Sequence, residues 1–219
     1  MKSDTIPPLD AIVIIVATFG LLLFVGAVFF VLFGNIFASP LSELLIAALP
    51  VSYMFARKMH IRSYVGAGIK PKTLLLGIGV GASLFLFDIL ISNLLVSIFG
   101  PSQAVEESNK LITNLGSSAP GLLSVYVIVI LAGVCEEFAF RGFLYNAIER
   151  KYSFGPALIV SSLAFGLFHF DLQLIWTLAA FLIGLLLGYA YHRWHSYTVC
   201  VVAHATLDFI AFTLTLLIR

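Results

Sequence analysis

Six ionisable residues in this chain stand in stretches otherwise built from apolar side chains. Glu136, Glu137 and Arg141 fall within the run Leu131-Ala-Gly-Val-Cys-Glu136-Glu137-Phe-Ala-Phe-Arg141, and two further apolar runs carry Phe165-Gly-Leu-Phe-His169 and His204-Ala-Thr-Leu-Asp208. In hydrocarbon each such group costs at least about 2.5 kcal/mol, so those that persist are paired, face a cavity and serve a function. Imidazoles and carboxylates brought together are the groups that activate water, either directly as general bases or through a bound metal ion.

Spacing assigns roles. Glu137 and Arg141 are four residues apart, share a helix face and form an ion pair with the acid on the N-terminal side, the better order. Glu136 points about 100° away and is free to face a reaction centre. The pair His204 and Asp208, again one turn apart, aims an imidazole and a carboxylate at one point. His169, His204 and Asp208 are a candidate set of metal ligands. Three protein ligands on zinc leave a position for water, whose pKa then falls toward neutrality. The helix-borne H-E-x-x-H pattern is absent, so a metal site would be assembled across helices. Without metal, Glu136 and a histidine activate the water directly.

The elements that must hold these groups follow from composition. Of 219 residues, 61% are hydrophobic and 11% charged, where a soluble domain carries roughly a quarter charged residues. Apolar stretches recur at about 9–33, 41–57, 73–99, 120–148, 156–171, 173–192 and 198–218, most of them long enough for a helix to cross the roughly 30 Å hydrocarbon layer. The expected fold is therefore all-α: a polytopic transmembrane helical bundle of about seven spans with a polar intramembrane pocket, in a single membrane domain of residues 1–219. The apolar run from Leu9 to Phe33 exceeds a cleavable signal core and is read as a retained anchor. Membrane lipid is the constant partner, and a formal charge of +1 gives no reason to expect nucleic acid.

Positive charge fixes the expected orientation. Arg57, Lys58, Arg62, Lys70 and Lys72 share one connection; placing it in the cytoplasm brings the N-terminus, Arg150, Lys151 and Arg193 to the same side, with Lys110 and Arg219 outside. The basic connection also suits anionic headgroups, but serving as a topology determinant is sufficient reason for it. His192, Arg193, Trp194, His195 and Tyr197 read as an interfacial belt. Pro40, Pro101, Pro120 and Pro156 punctuate the starts of spans. Residues 100–119, with Glu106, Glu107, Asn109 and Lys110, are expected to be a polar connection. Gly77, Gly79, Gly81, Gly184 and Gly188 are expected at close helix contacts. Asp88 is a further intramembrane acid, with Asn93 as a second candidate for lining the cavity. Cys135 and Cys200 suggest neither a disulfide framework nor a zinc cluster, and a nucleophilic Cys135 is disfavoured because it points away from its neighbour Glu136.

Glu136-Glu137-x-x-x-Arg141, then Phe165-x-x-x-His169, then His204-x-x-x-Asp208, in this order on successive membrane helices, resembles the CAAX protease and bacteriocin-processing family of intramembrane proteases, also called the Abi family. The likeness covers residues 121–219, and residues 1–120 are additional transmembrane helices without a matching motif. It implies a membrane-embedded peptidase, similar to the enzymes that remove the three terminal residues of prenylated CAAX proteins, with Glu136, His169 and His204 around the catalytic water. The implied partner is a peptide or lipidated protein substrate. The family shows Asn or Asp at the last position, Asn in its prenyl-protein proteases. An ionised Asp208 accepts but does not donate a hydrogen bond, which favours a metal-ligand or imidazole-orienting role over oxyanion stabilisation. A non-catalytic membrane scaffold or bacteriocin self-immunity protein of the same fold is the alternative, and an ion transporter a third reading.

Overall fold

Hydrocarbon offers the backbone no hydrogen-bond partner, so apolar runs of this length close their own bonds as helices. The computed structural model describes residues 5–218, and all regular elements among them are helical. They are Pro8–Ala56 (α1), Ile61–Tyr64 (α2), Pro71–Phe99 (α3), Gln103–Leu115 (α4), Ala119–Glu137 (α5), Asn146–Glu149 (α6), Phe154–Phe168 (α7), Ile175–Trp194 (α8) and Tyr197–Leu217 (α9), with a π-helical segment, Phe138–Tyr145, joining α5 to α6. Five continuous helices are long and apolar enough to cross a membrane: α1, α3, the run Ala119–Glu149, α8 and α9. Arg219, assigned above to the outer side, lies outside the described residues.

The expected spans 9–33 and 41–57 are one helix by hydrogen bonding, yet 49 residues in a straight helix would reach about 74 Å, more than twice the hydrocarbon thickness. Gly34 resolves this. Its φ of 64° and ψ of 173° break the helix, a conformation glycine adopts at little cost. The Tyr53 hydroxyl donates to Asp10 at 2.6 Å and Gly26 faces Ser42, so the two arms run back along each other as a hairpin. With this hairpin counted twice and the short α7 included, the expected seven apolar segments are all helical.

Residues 100–119 were expected to connect without regular structure; they hold α4 instead. Ser102 caps it, accepting from the Val105 N–H at 3.3 Å. Ile112 and Leu115, one turn apart, bury themselves against Val125 of α5 while the charged face stays out. That apolar spacing is the amphipathic signal that polar composition concealed.

The core lies in the second half of the chain, where Phe140, Phe143 and Tyr145 are fully buried, while α1 and α3 turn Phe24, Leu86 and Leu90 outward as lipid-facing helices do. α3 packs along α9, α7 along α8, and α5 against both α1 and α9. Gly77, Gly81, Gly184 and Gly188 do stand at these contacts, as does Gly133 between α5 and α9, whereas Gly79 faces open space. A Cβ on Gly81 would collide with the Ala203 carbonyl and Thr206 on α9. Gly81→Val is therefore expected to cost about 1–3 kcal/mol or more by overpacking and to shift the helix that carries His204. Thermal unfolding in detergent checks this, with Gly79→Val as a control expected to match the wild type.

Candidate active site

Four elements bring the six residues together. Glu136 and Glu137 end α5, Arg141 lies in the π-helical segment that follows, His169 closes α7, and His204 and Asp208 share a face of α9. Glu136, Glu137, Arg141 and His204 are buried. The π-helical segment was not foreseen; such widened turns frequently occur at functional sites. It is held by Asn146, whose side-chain amide nitrogen lies within hydrogen-bond distance of the Gly142 carbonyl at 3.0 Å, the Tyr64 carbonyl at 3.2 Å and the Tyr191 hydroxyl at 2.6 Å.

Glu137 anchors the group. Its Oε1 accepts from Arg141 Nη1 at 2.7 Å and from His204 Nδ1 at 2.9 Å. Arg141 also donates to the Gly184 carbonyl at 3.0 Å and places its guanidinium over the Phe165 ring, 4.6 Å from the centroid. The carboxylate accepts, so His204 Nδ1 carries the hydrogen and Nε2 faces Asp208 Oδ2 at 3.5 Å. Phe165 is the ring all these groups share: Phe140, His169 and His204 each meet it edge-on or tilted, at 5.3, 4.8 and 5.7 Å between centroids.

His169 is fixed by its own helix. Nδ1 lies 3.0 Å from the Phe165 carbonyl, which only accepts, so Nδ1 holds the hydrogen and the Nε2 lone pair looks outward. Nε2 is 3.9 Å from Glu136 Oε2, an oxygen buried without a hydrogen-bond partner. The gap is too long for a hydrogen bond and suits one water: a water at about 2.8 Å from each acceptor donates a hydrogen to both.

The expected metal set is not assembled as a triad. Among the described residues, no three His, Cys, Asp or Glu side chains are placed to hold one ion. The physical reason is that the donors face one another in two pairs, His169 with Glu136 and His204 with Asp208, while His204 commits Nδ1 to Glu137. As they stand the residues do not fit a three-ligand zinc site.

The structure adds one acid that motif spacing passed over. Glu43, from the second arm of α1, buries Oε2 without a partner and feels the charges of Glu136, Asp208 and His204. The signal was present in the sequence as a lone acid in an apolar run. Asp88 on α3 accepts from Ser92 at 3.3 Å and acts electrostatically on Asp208, which places it beside the pocket. Asn93 instead bonds the Ile89 carbonyl of its own helix at 2.7 Å and is exposed. Cys135 and Cys200 are buried free thiols. The belt residue His192 pairs with Glu149 at 2.7 Å and lies over Phe154, away from the site.

Between α7 and α8, Asp171 is buried. Burial pushes its carboxyl up, but hydrogen bonds from Thr177, Ser102 and the Trp176 backbone outweigh it and hold the group below the usual carboxylate range.

No curated protein and no solved structure matches the chain. The apolar helices make this a multi-pass membrane protein. One family model matches, over residues 118–210, a segment that opens at the N-cap of α5 and contains all six residues of the pocket. That segment matches the family described as type II CAAX prenyl endopeptidase Rce1-like, and the ordered trio of motifs lies within it.

Proposed function

We propose that this protein is an intramembrane endopeptidase that hydrolyses a peptide bond with a water held between Glu136 and His169. The observation that carries the reading is the 3.9 Å gap between two acceptors, His169 Nε2 and Glu136 Oε2, one with a lone pair set outward by Phe165 and the other without a partner. Two acceptors draw both hydrogens of one water and leave its oxygen lone pairs to attack a carbonyl carbon. Glu136 takes a proton as the C–O bond forms and returns it to the leaving nitrogen as the C–N bond breaks. A proton on Nε2 makes His204 a donor for the developing oxyanion, steadied by Glu137 on one side and Asp208 on the other.

The family's description supports a substrate of the CAAX type, a peptide or protein that carries a lipid near its C-terminus. Lysine and arginine distribution supports a cytoplasmic N-terminus and basic connection, with α4 on the opposite side. No step here runs through zinc, because the donors stand as two pairs.

Incubation of the protein in liposomes with a prenylated CAAX peptide, followed by mass spectrometry, is expected to show release of the terminal tripeptide. Intact peptide after prolonged incubation with folded protein, for both prenylated and unmodified substrates, overturns the reading. Elemental analysis of the same preparation is expected to find no stoichiometric zinc. Near-stoichiometric zinc that is lost from a His169→Ala/His204→Ala double variant would replace the metal-free mechanism with one in which the pairs close around an ion.

A further inference from the structure

The proposed chemistry does not use the one buried anion in the turn after His169. α7 has 15 residues and rises only about 22 Å, less than the hydrocarbon thickness. Irregular backbone at such a helix end is tolerated in a membrane only where protein groups satisfy it. Asp171 supplies them. Its Oδ1 accepts the Thr177 N–H at 3.1 Å and the Thr177 hydroxyl at 3.0 Å, and Oδ2 accepts the Ile175 N–H at 3.2 Å and the Ser102 hydroxyl at 3.0 Å. Its own N–H donates to Thr177 Oγ1 at 3.0 Å.

Capping α8 needs one of these oxygens, not both. The remainder of the network reaches the reaction centre. The Thr177 hydroxyl is also 3.3 Å from the His169 carbonyl, and the ring of Trp176, in the same first turn of α8, stands edge-on to His169 at 5.5 Å. Through Ser102 the same carboxylate holds the N-cap of α4, whose C-terminal end packs on α5. One aspartate thus joins the turn that carries the imidazole, the helix that buttresses it, and the amphipathic helix outside.

We propose that Asp171 is a positioning residue: through Thr177 and Trp176 it fixes where His169 stands relative to Glu136, and through Ser102 it ties that position to α4. This rests on the reading of Glu136 and His169 as the water-activating pair.

The test uses the full chain in detergent or liposomes, in a Trp194→Phe background that leaves Trp176 as the sole tryptophan. Asp171→Asn keeps size but exchanges an acceptor oxygen for a donor. Thr177→Val removes the hydroxyl at constant shape, and Thr177→Ser restores it. For Asp171→Asn and Thr177→Val, kcat is expected to fall at least tenfold with KM within threefold, and acrylamide quenching of Trp176 to rise at least twofold. Thr177→Ser is expected to stay within threefold of the parent in both readouts. Should Asp171→Asn fail to fold, the valine and serine pair decides alone. Unchanged kcat and unchanged quenching in folded variants overturn the proposal, as does loss of stability without a change at Trp176. If the parent hydrolyses nothing but quenching rises as expected and serine restores it, the clamp stands and the hydrolytic reading falls.

Discussion

Glu136→Gln is expected to lower the hydrolytic kcat by about 10² to 10⁴, the range that a positioned general base contributes, while leaving thermal stability equal to or above that of the wild type. The two halves of this expectation have one cause. Glu136 is 6% exposed, and the guanidinium of the cluster, Arg141, is taken by Glu137. A buried carboxylate carries a desolvation cost in the folded protein, so the neutral, isosteric amide lowers that cost where it removes a base. Activity and stability then move apart, the mark of a residue kept for chemistry. Parallel measurement of initial rates and unfolding midpoints tests the idea. A glutamine variant that retains full activity removes Glu136 from the mechanism, and one that loses activity only because it unfolds assigns the residue to the fold.

Arg141→Ala carries the opposite signature. Arg141 and Glu137 are both fully buried and 2.7 Å apart, and removal of one partner leaves an uncompensated charge, a loss of about 3–5 kcal/mol. The expected result is a large drop in the unfolding midpoint and in the yield of folded protein. Replacement of both residues, as Glu137→Leu/Arg141→Met, is expected to recover much of that stability because no buried charge is left alone. Activity is not expected to return with it. His204 Nδ1 donates to the same Glu137 oxygen, so the apolar pair folds the protein without setting the imidazole. If the double variant is active, the Glu137–Arg141 pair is structural only and His204 is oriented by other groups. If the single variant is as stable as the wild type, the pair carries no weight in the fold.

The activity expected of these variants depends on contacts between helices that are distant in the chain, Glu136 with His169 and Glu137 with His204. Within single helices the sequence was informative. The spacing of Glu137 and Arg141 and of His204 and Asp208 already implied shared faces, since a turn of 3.6 residues is a local property, and both pairs face each other as expected. Apolar stretches of span length required helices because no other open structure satisfies a backbone in lipid. The all-helical, multi-pass architecture and the polar cluster in the second half were legible for these reasons alone.

Tertiary structure decided the rest. That Glu137 rather than Glu136 receives His204 depends on how closely α9 approaches α5, which Gly133 permits against Val201 and Ala205. Glu43 joins the pocket only because α1 reverses at Gly34 and lays its second arm against α5, and a lone glutamate in an apolar run carries no spacing to announce its partner. The metal triad expected from residue type is not assembled among the described residues: His169 and His204 are held by Phe165 and Glu137 so that each faces a different carboxylate. Asp171, Thr177 and Ser102 belong to no spaced motif, and Ser102 lies 69 positions from Asp171. Helical period and hydrophobicity are written residue by residue, so the sequence by itself determined the elements and the faces of each. Which faces meet depends on the packing of all the helices at once, and that only the folded chain decides.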